Sequence, residues 1–297
     1  MTKLNIAGDS AAGPEPSPPG GDWDIRILRR VGRLEDLPLA KDPVTPIRQV
    51  AVVDVETTGI DPLLHQVIDI AYVVLAVDAR GEIVDVVRKG QSLCDPGMPI
   101  PPRITMLTGL TDEHVKGTAI DLDALQQIFA TVDVFIAQNC AFDAGFLRQL
   151  LPSTKDAAWA CSLRDFDWLK DAGLDGRALG HLLMQIGFFN DGHRALNDVI
   201  SLIHLLAWRL PSDQTVLGAL LANAERETVR LEATGAGFGK RSLLKARGYR
   251  WDVAAKVWWI EVTYGELDEE RLWLQREITP FGPYPRIRPI TWHQRHR

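Results

Sequence analysis

Asp54 and Glu56 stand two residues apart at the end of the run Gln49-Val50-Ala51-Val52-Val53-Asp54-Val55. In an extended strand that spacing puts both side chains on one face. Two carboxylates side by side repel each other unless a cation lies between them. Strand-end acids commonly just face water and then need no cation; the Thr57-Thr58-Gly59 that follows weakens that reading, because glycine beside paired acids permits close approach of a substrate. A further acid, Asp143, lies in Gln138-Asn139-Cys140-Ala141-Phe142-Asp143-Ala144-Gly145-Phe146-Leu147, just after an apolar run. Taken alone it reads as an acid favoured by the dipole at a helix start. His193 falls in a loop behind Asn190-Asp191-Gly192, and Asp198 in the first turns of a helix whose apolar face holds Val199, Leu202, Ile203 and Leu206. His181 and His204 read as helix-face residues without a chemical role.

Elements must bring these side chains together. The β-branched run before Asp54 predicts a strand, broken by Thr57-Thr58-Gly59 and a turn at Asp61-Pro62. Residues 67–77 and 83–87 predict two more strands, and 132–137 a fourth. Apolar periodicity predicts helices over 121–131, 142–151, 178–186 and 195–210. Three strands followed by alternating helix and strand indicate an α/β layer fold with a mixed sheet. Residues 7–22, with four Gly, four Pro and no large apolar side chain, cannot offset their ordering entropy, so 1–22 is expected to be a disordered tail. Residues 23–47 read as an N-terminal extension, 48–210 as the main domain, 211–226 as a helical linker, 227–277 as a small α+β unit and 278–297 as a C-terminal tail.

D-x-E-T-T-G, N-x-x-F-D-x-x-F-L and H-R-A-x-x-D-V together closely resemble the DnaQ-like exonucleases of the DEDDh class, a superfamily that includes the epsilon proofreading subunit of bacterial DNA polymerase III. The resemblance covers about residues 48–210, including Pro99-Ile100-Pro101 and Leu107-Thr108-Gly109-Leu110-Thr111. It implies a ribonuclease H-like five-stranded mixed sheet flanked by helices. It also implies that Asp54, Glu56 and Asp198 hold two divalent ions, Mg²⁺ or Mn²⁺, with Asp143 completing the site directly or through water, and that His193 is the general base. The implied reaction is stepwise phosphodiester hydrolysis from a 3′ end, releasing nucleoside 5′-monophosphates. Thr57, Thr58, Gly59, Ile60, Asn139 and Phe142 are expected to line the substrate groove. Relatives often carry His-Asn where this chain has Gln138-Asn139; glutamine keeps hydrogen-bonding capacity but cannot titrate.

Composition bounds the partners. The chain has 297 residues, 46% hydrophobic and 24% charged, ordinary for a globular protein. No apolar run approaches the ~18 residues of a membrane span, and no signal-peptide pattern opens the chain, so no membrane partner is expected. Cys94, Cys140 and Cys161 form no CxxC pair, which argues against a zinc knuckle or disulfide framework and fits the cytoplasm. The net charge of −6 is unevenly spread: residues 49–230 carry 14 basic and 24 acidic groups, and residues 231–297 carry 12 and 8. Within the small unit, Lys240, Arg241, Lys245 and Arg247 are interleaved with aromatics including Trp258 and Trp259, a combination suited to single-stranded nucleic acid. The competing reading makes the tryptophans a small core; adjacent Trp258 and Trp259 point to opposite faces of a strand, so both are not expected to be fully buried. Gln214-Thr215-Val216-Leu217 is faintly similar to sliding-clamp-binding peptides without their terminal aromatic. Single-stranded or frayed 3′ ends of DNA are the expected substrate, with association to DNA polymerase III or its clamp as a further expectation. An RNA-directed exonuclease of the same fold and a non-catalytic accessory protein are the alternatives, since preference for DNA or RNA depends on contacts to the 2′ hydroxyl.

Overall fold

The structure is a computed structural model that describes residues 26–40 and 45–296, so the tail expected over 1–22 lies outside the described residues. A short strand β1 (Arg29–Arg30) precedes the long strands β2 (Arg48–Thr57), β3 (Val67–Val77) and β4 (Ile83–Leu93). Three short helices, α1 (Pro102–Thr108), α2 (Asp112–Val115) and α3 (Leu122–Phe129), lead into β5 (Val134–Ala137), α4 (Cys140–Leu150) and β6 (Ala158–Cys161). Then come α5 (Trp168–Ala172), α6 (Leu179–Gln185), β7 (Phe188–Phe189), α7 (Ala195–Leu206) and α8 (Val216–Glu225). The main sheet runs β4-β3-β2-β5-β6, antiparallel among β2, β3 and β4 and parallel from β2 through β5 to β6. This is the five-stranded mixed sheet of the ribonuclease H-like fold.

Alternation along β2 divides the core into two layers. Val50 and Val52 pack with Val199, Leu202 and Leu206 of α7. Ala51, Val53 and Val55 pack with Ala144, Phe146 and Leu147 of α4. The same period carries Asp54 and Glu56 onto the α7 side, the helix that bears Asp198. Beneath the other face Phe129 meets Phe135 edge-on and Phe135 stacks on Trp159. β6, Ala-Trp-Ala-Cys, is fully buried yet too short and too poor in β-branched residues to announce itself by pattern.

Two expected boundaries are corrected. The helical linker is not a linker: α8 buries Val216, Leu217, Leu220, Leu221 and Ala224 in the same core as α7. Its start is fixed against the β3–β4 turn, where Thr215 donates to the Gly81 carbonyl at 2.9 Å and accepts from the Gly218 amide at 3.0 Å. That burial also removes Val216 and Leu217 from the role of an exposed clamp-binding peptide. The segment 278–297 is not a free tail either. The small unit comprises β8 (Thr228–Glu232), α9 (Arg241–Ala246), β9 (Arg250–Asp252), β10 (Val257–Val262), α10 (Leu267–Trp273) and β11 (Arg286–Ile290). Its antiparallel sheet runs β11-β8-β10-β9, so β11 covers an edge of β8 that would otherwise stay open to pairing. Beyond β11 the chain returns to the main domain, where Trp159 donates its amide to the Trp292 carbonyl at 3.1 Å. At the other end, the N-terminal extension is tied down by β1, which pairs with β7 in parallel.

The contact between α8 and the β3–β4 turn leaves no room for a side chain. A Cβ at Gly218 would stand 2.3 Å from the Arg80 carbonyl oxygen, and one at Gly81, whose φ is +80°, 2.1 Å from the Gly218 Cα. Gly218→Ala is therefore expected to cost about 1–3 kcal/mol in urea unfolding, whereas Gly237→Ala, where a Cβ meets nothing within 4 Å, costs far less. Equal midpoints for the two variants would show that the helix seats without this close approach.

Candidate active site

The face of β2 that meets α7 becomes polar where the strand runs out of apolar residues. There the carboxylate oxygens of Asp54, Glu56 and Asp198 come within 4.8 Å of one another. Asp143 joins from the α4 layer: it is 3% exposed, and its Oδ1 accepts the Val55 amide at 3.1 Å. It lies close enough to raise the proton affinity of Asp54, but outside the converging three. Asp198 is held by the loop before its helix. Its Oδ2 accepts the amides of His193 at 2.6 Å and Arg194 at 3.3 Å, and its Oδ1 accepts Asn190 Nδ2 at 3.1 Å. His193 itself is exposed, with a left-handed φ of 64° that the two amide bonds to Asp198 hold in place.

A fifth acid, missed in the sequence reading, stands behind these. Asp69 is the cross-strand partner of Glu56 and fully buried, and both its oxygens accept from Gln91 Nε2, at 2.8 and 3.0 Å. The Ala195 amide at the start of α7 also bonds to it. Its signal was a single acid inside the apolar run Val67 to Val77.

Crowding sets the electrostatics. Loss of hydration and then the charges of Asp143, Asp198 and Glu56 push Asp54 well above the usual carboxylate range. Burial, followed by the charges of Asp198 and Asp69, pushes Glu56 up to about 7. Asp143 is also pushed up to about 7 by burial, against the pull of its Val55 hydrogen bond. Burial raises Asp198 too, opposed by the His193 amide. Oxygen donors packed this closely, short of positive charge, match a hard divalent cation such as Mg²⁺ or Mn²⁺. Asp54, Glu56 and Asp198 are the residues that could hold one.

The residues expected to line a substrate groove divide. Ile60 is 85% exposed beside the acids, and Asn139 is exposed at the start of α4, where its side chain makes no capping bond. Phe142 is half-buried against Phe146, with ring centroids 5.0 Å apart. Thr57 and Thr58 are buried, and their hydroxyls hold the loop: Thr57 Oγ1 donates to the Gly59 carbonyl at 2.5 Å, and Thr58 Oγ1 accepts the Gln66 amide at 3.0 Å. Gly59 has a reason beyond substrate access, since a Cβ there would stand 2.2 Å from the His65 ring. Gln138 is a strut, donating to the Arg177 carbonyl at 2.7 Å and accepting from Ser162 Oγ at 2.6 Å.

In the small unit the expected nucleic-acid contacts are corrected in part. Trp258 lies in the core with Leu231, Leu244 and Tyr249, so it offers no stacking face. Trp259, on the opposite face, is covered by the Arg230 and Arg250 guanidiniums at 4.3 and 4.2 Å from its ring centre. Arg247 pairs with Glu270 at 2.8 Å and lies over Trp273. Arg241 and Lys245 are exposed and Lys240 half-exposed. The described residues include no helix long and apolar enough to cross a membrane.

Carboxylates whose proton affinity is raised in the folded state favour folding most while protonated. Without cation, stability should therefore fall as pH rises from about 4.5 through 7, the range over which Glu56 ionises. Added Mn²⁺ should raise the thermal midpoint more at pH 8 than at pH 5.5, and Asp198→Ala should lose most of that rise. A midpoint shift independent of pH would mean that cation binds elsewhere.

Residues 51–206 match the RNase_T family model, described as exonuclease. Over 100 residues the chain is 38% identical to the PolC-type DNA polymerase III of Listeria innocua serovar 6a, a stretch that is 33% of this chain and 6% of that protein. Over 99 residues it is 39% identical to the PolC-type DNA polymerase III of Streptococcus mutans serotype c, with the same coverage of 33% and 6%. The matched stretch is thus a small part of these curated relatives. Among solved structures, Exonuclease X in complex with 5′ overhanging duplex DNA is similar at 21% identity and TM-score 0.41, over 57% of this chain and 99% of that one. Escherichia coli Exonuclease I in complex with a dA13 oligonucleotide is similar at 15% identity and TM-score 0.48, over 84% and 64%.

Proposed function

We propose, since the chain belongs to the DnaQ-like exonuclease family, that it removes nucleotides one at a time from the 3′ end of DNA by metal-dependent hydrolysis of the terminal phosphodiester. The observation that carries this reading is the meeting of Asp54, Glu56 and Asp198 within 4.8 Å, on a domain whose fourth acid and histidine also belong to the family pattern.

Asp54, Glu56 and Asp198 would hold the divalent ions, with Asp143 fixing the β2 backbone beside them through Val55. Such ions supply charge neutralisation on the phosphate and an activated water. His193 takes the proton from the attacking water at a ring nitrogen. Its loop is indexed to the site because Asp198 accepts the His193 amide. One carboxylate thereby both binds cation and sets the position of the base. Ile60, Asn139 and Phe142 border the place where a terminal nucleotide would lie, and the Thr57–Gly59 backbone contributes there while the threonine hydroxyls keep the loop closed. Lys240, Arg241 and Lys245 would engage the phosphates of the trailing strand. The PolC-type DNA polymerase III relatives support a setting in DNA replication; repair and a cytoplasmic location belong to the same proposal.

Two tests follow from the assignment. On 5′-labelled single-stranded DNA with Mg²⁺, the chain should give a ladder shortening from the 3′ end and release 5′-monophosphates. Asp54→Ala should abolish it, and His193→Ala should reduce it by about 10²–10⁴-fold. Undiminished digestion in either variant would refute the site, and faster digestion of matched RNA would transfer the reading to an exoribonuclease. Replacing Lys240, Arg241 and Lys245 by Glu should raise KM and flatten its salt dependence with kcat preserved; an unchanged KM would remove the small unit from substrate binding.

A further inference from the structure

Away from the carboxylates, a second group of potential ligands is closed up by the end of the chain. Cys140 is the first residue of α4, Cys161 the last of β6, and His296 lies beyond β11. All three are buried, and one ligand atom from each lies within 4.8 Å of the others. Buried cysteines are commonly small apolar fillers, and two of them in contact would need no more explanation than that. An imidazole brought in by the far end of the chain does.

The way His296 is held goes further. Its Nε2 bonds to Asp165 Oδ2 at 2.8 Å, and the same oxygen accepts the Cys161 amide at 2.8 Å. Arg148 of α4 donates two bonds to the His296 carbonyl, both 3.1 Å. Arg295 is tied to Glu261 at 2.7 Å and to the Ala224 carbonyl. The imidazole is therefore placed from several sides, and a hydrogen on Nε2 shared with a carboxylate leaves the lone pair on Nδ1. A carboxylate behind a histidine is the usual arrangement that fixes the tautomer of a metal ligand.

We propose that Cys140, Cys161 and His296 form a second metal site, for a thiolate-preferring divalent ion of the zinc class. Two sulfurs and one nitrogen favour such an ion over Mg²⁺ or Mn²⁺. A tetrahedral zinc holds its donors roughly 3.5–3.8 Å apart, so the three need close by only about 1 Å from the 4.8 Å limit. Asp165 serves as the outer partner of His296, and the fourth position is left to water. The ion would staple the chain end to the first residue of α4, three residues before Asp143, and so join the small unit to the helix that supports the carboxylate site. This site uses none of the carboxylates assigned to hydrolysis and stands or falls without them.

Cobalt reports the ligand set directly, because thiolate-bound Co²⁺ gives an intense near-ultraviolet charge-transfer band that carboxylate-bound Co²⁺ lacks. The reduced full chain, titrated with Co²⁺ in excess Mg²⁺, should develop that band to one equivalent and lose it on addition of one equivalent of Zn²⁺. Cys94→Ser should keep the band, Cys161→Ser should lose it, and His296→Ala should shift its position. Absence of the band in the unaltered, reduced chain would overturn the proposal without reliance on any variant. A band unchanged in His296→Ala, or a Cys140–Cys161 disulfide in protein isolated without oxidant, would overturn it equally.

Discussion

Like charges resist being gathered, and at the end of β2 five carboxylates are gathered. Asp54, Glu56 and Asp198 converge, Asp143 stands beside them, and Asp69 lies across the strand from Glu56. The rest of the domain can be understood as what holds this arrangement in place. A strand with alternate residues locked into two apolar layers cannot twist Asp54 and Glu56 apart. α7, buried along its inner face, cannot carry Asp198 away. Each neighbouring acid is also fastened by a neutral donor: Asp143 by Val55, Asp69 by Gln91, and Asp198 by His193, Arg194 and Asn190. Backbone and side-chain amides offset part of the repulsion, and the charge of Arg194 near Glu56 and Asp69 offsets more, but one cation is too little for five carboxylates. The site therefore retains its demand for cation.

The small unit shows the reverse situation. Its basic and aromatic side chains suggested contacts for a strand, yet several of them are committed internally. Arg230 bonds Glu232 and Asp252, Arg247 bonds Glu270, and Arg295 bonds Glu261. The aromatics are similarly committed, Trp258 to the core and Trp259 to two guanidiniums. Among the described residues, the exposed flank of α9 and the turn before it remain for a partner, as do exposed Lys256, Arg286 and Arg288 elsewhere on the unit. A tally of basic residues overstates the side chains available to a partner when some of them are held in ion pairs within the unit.

Legibility of the sequence follows the range of the forces involved. Strands β2, β3 and β5 and helix α7 were readable because their apolar periodicity is local, and the acids at their ends stood out against it. The two layers follow from the same alternation. α8 read as a linker because a helix apolar on several sides gives no direction, and only the docked structure shows Gly218 seated on the β3–β4 turn. The chain end read as a tail because Arg286–Ile290 interrupts its alternation with Pro289, which an edge strand tolerates. Asp69 and the Cys140–Cys161–His296 group depend on contacts between residues far apart in sequence. Neither spacing nor composition could announce the cysteine–histidine group, and Asp69 left only the sign of a lone acid inside an apolar run.

Until a cation enters it, the carboxylate cluster destabilises the fold. Urea unfolding of the unaltered chain and of Asp54→Asn, in chelated buffer at pH 8, tests this directly. The variant, relieved of one charge, is predicted to be the more stable of the two. A variant less stable than the unaltered chain would contradict the account, since Asp54 would then be contributing to the fold rather than being held against it.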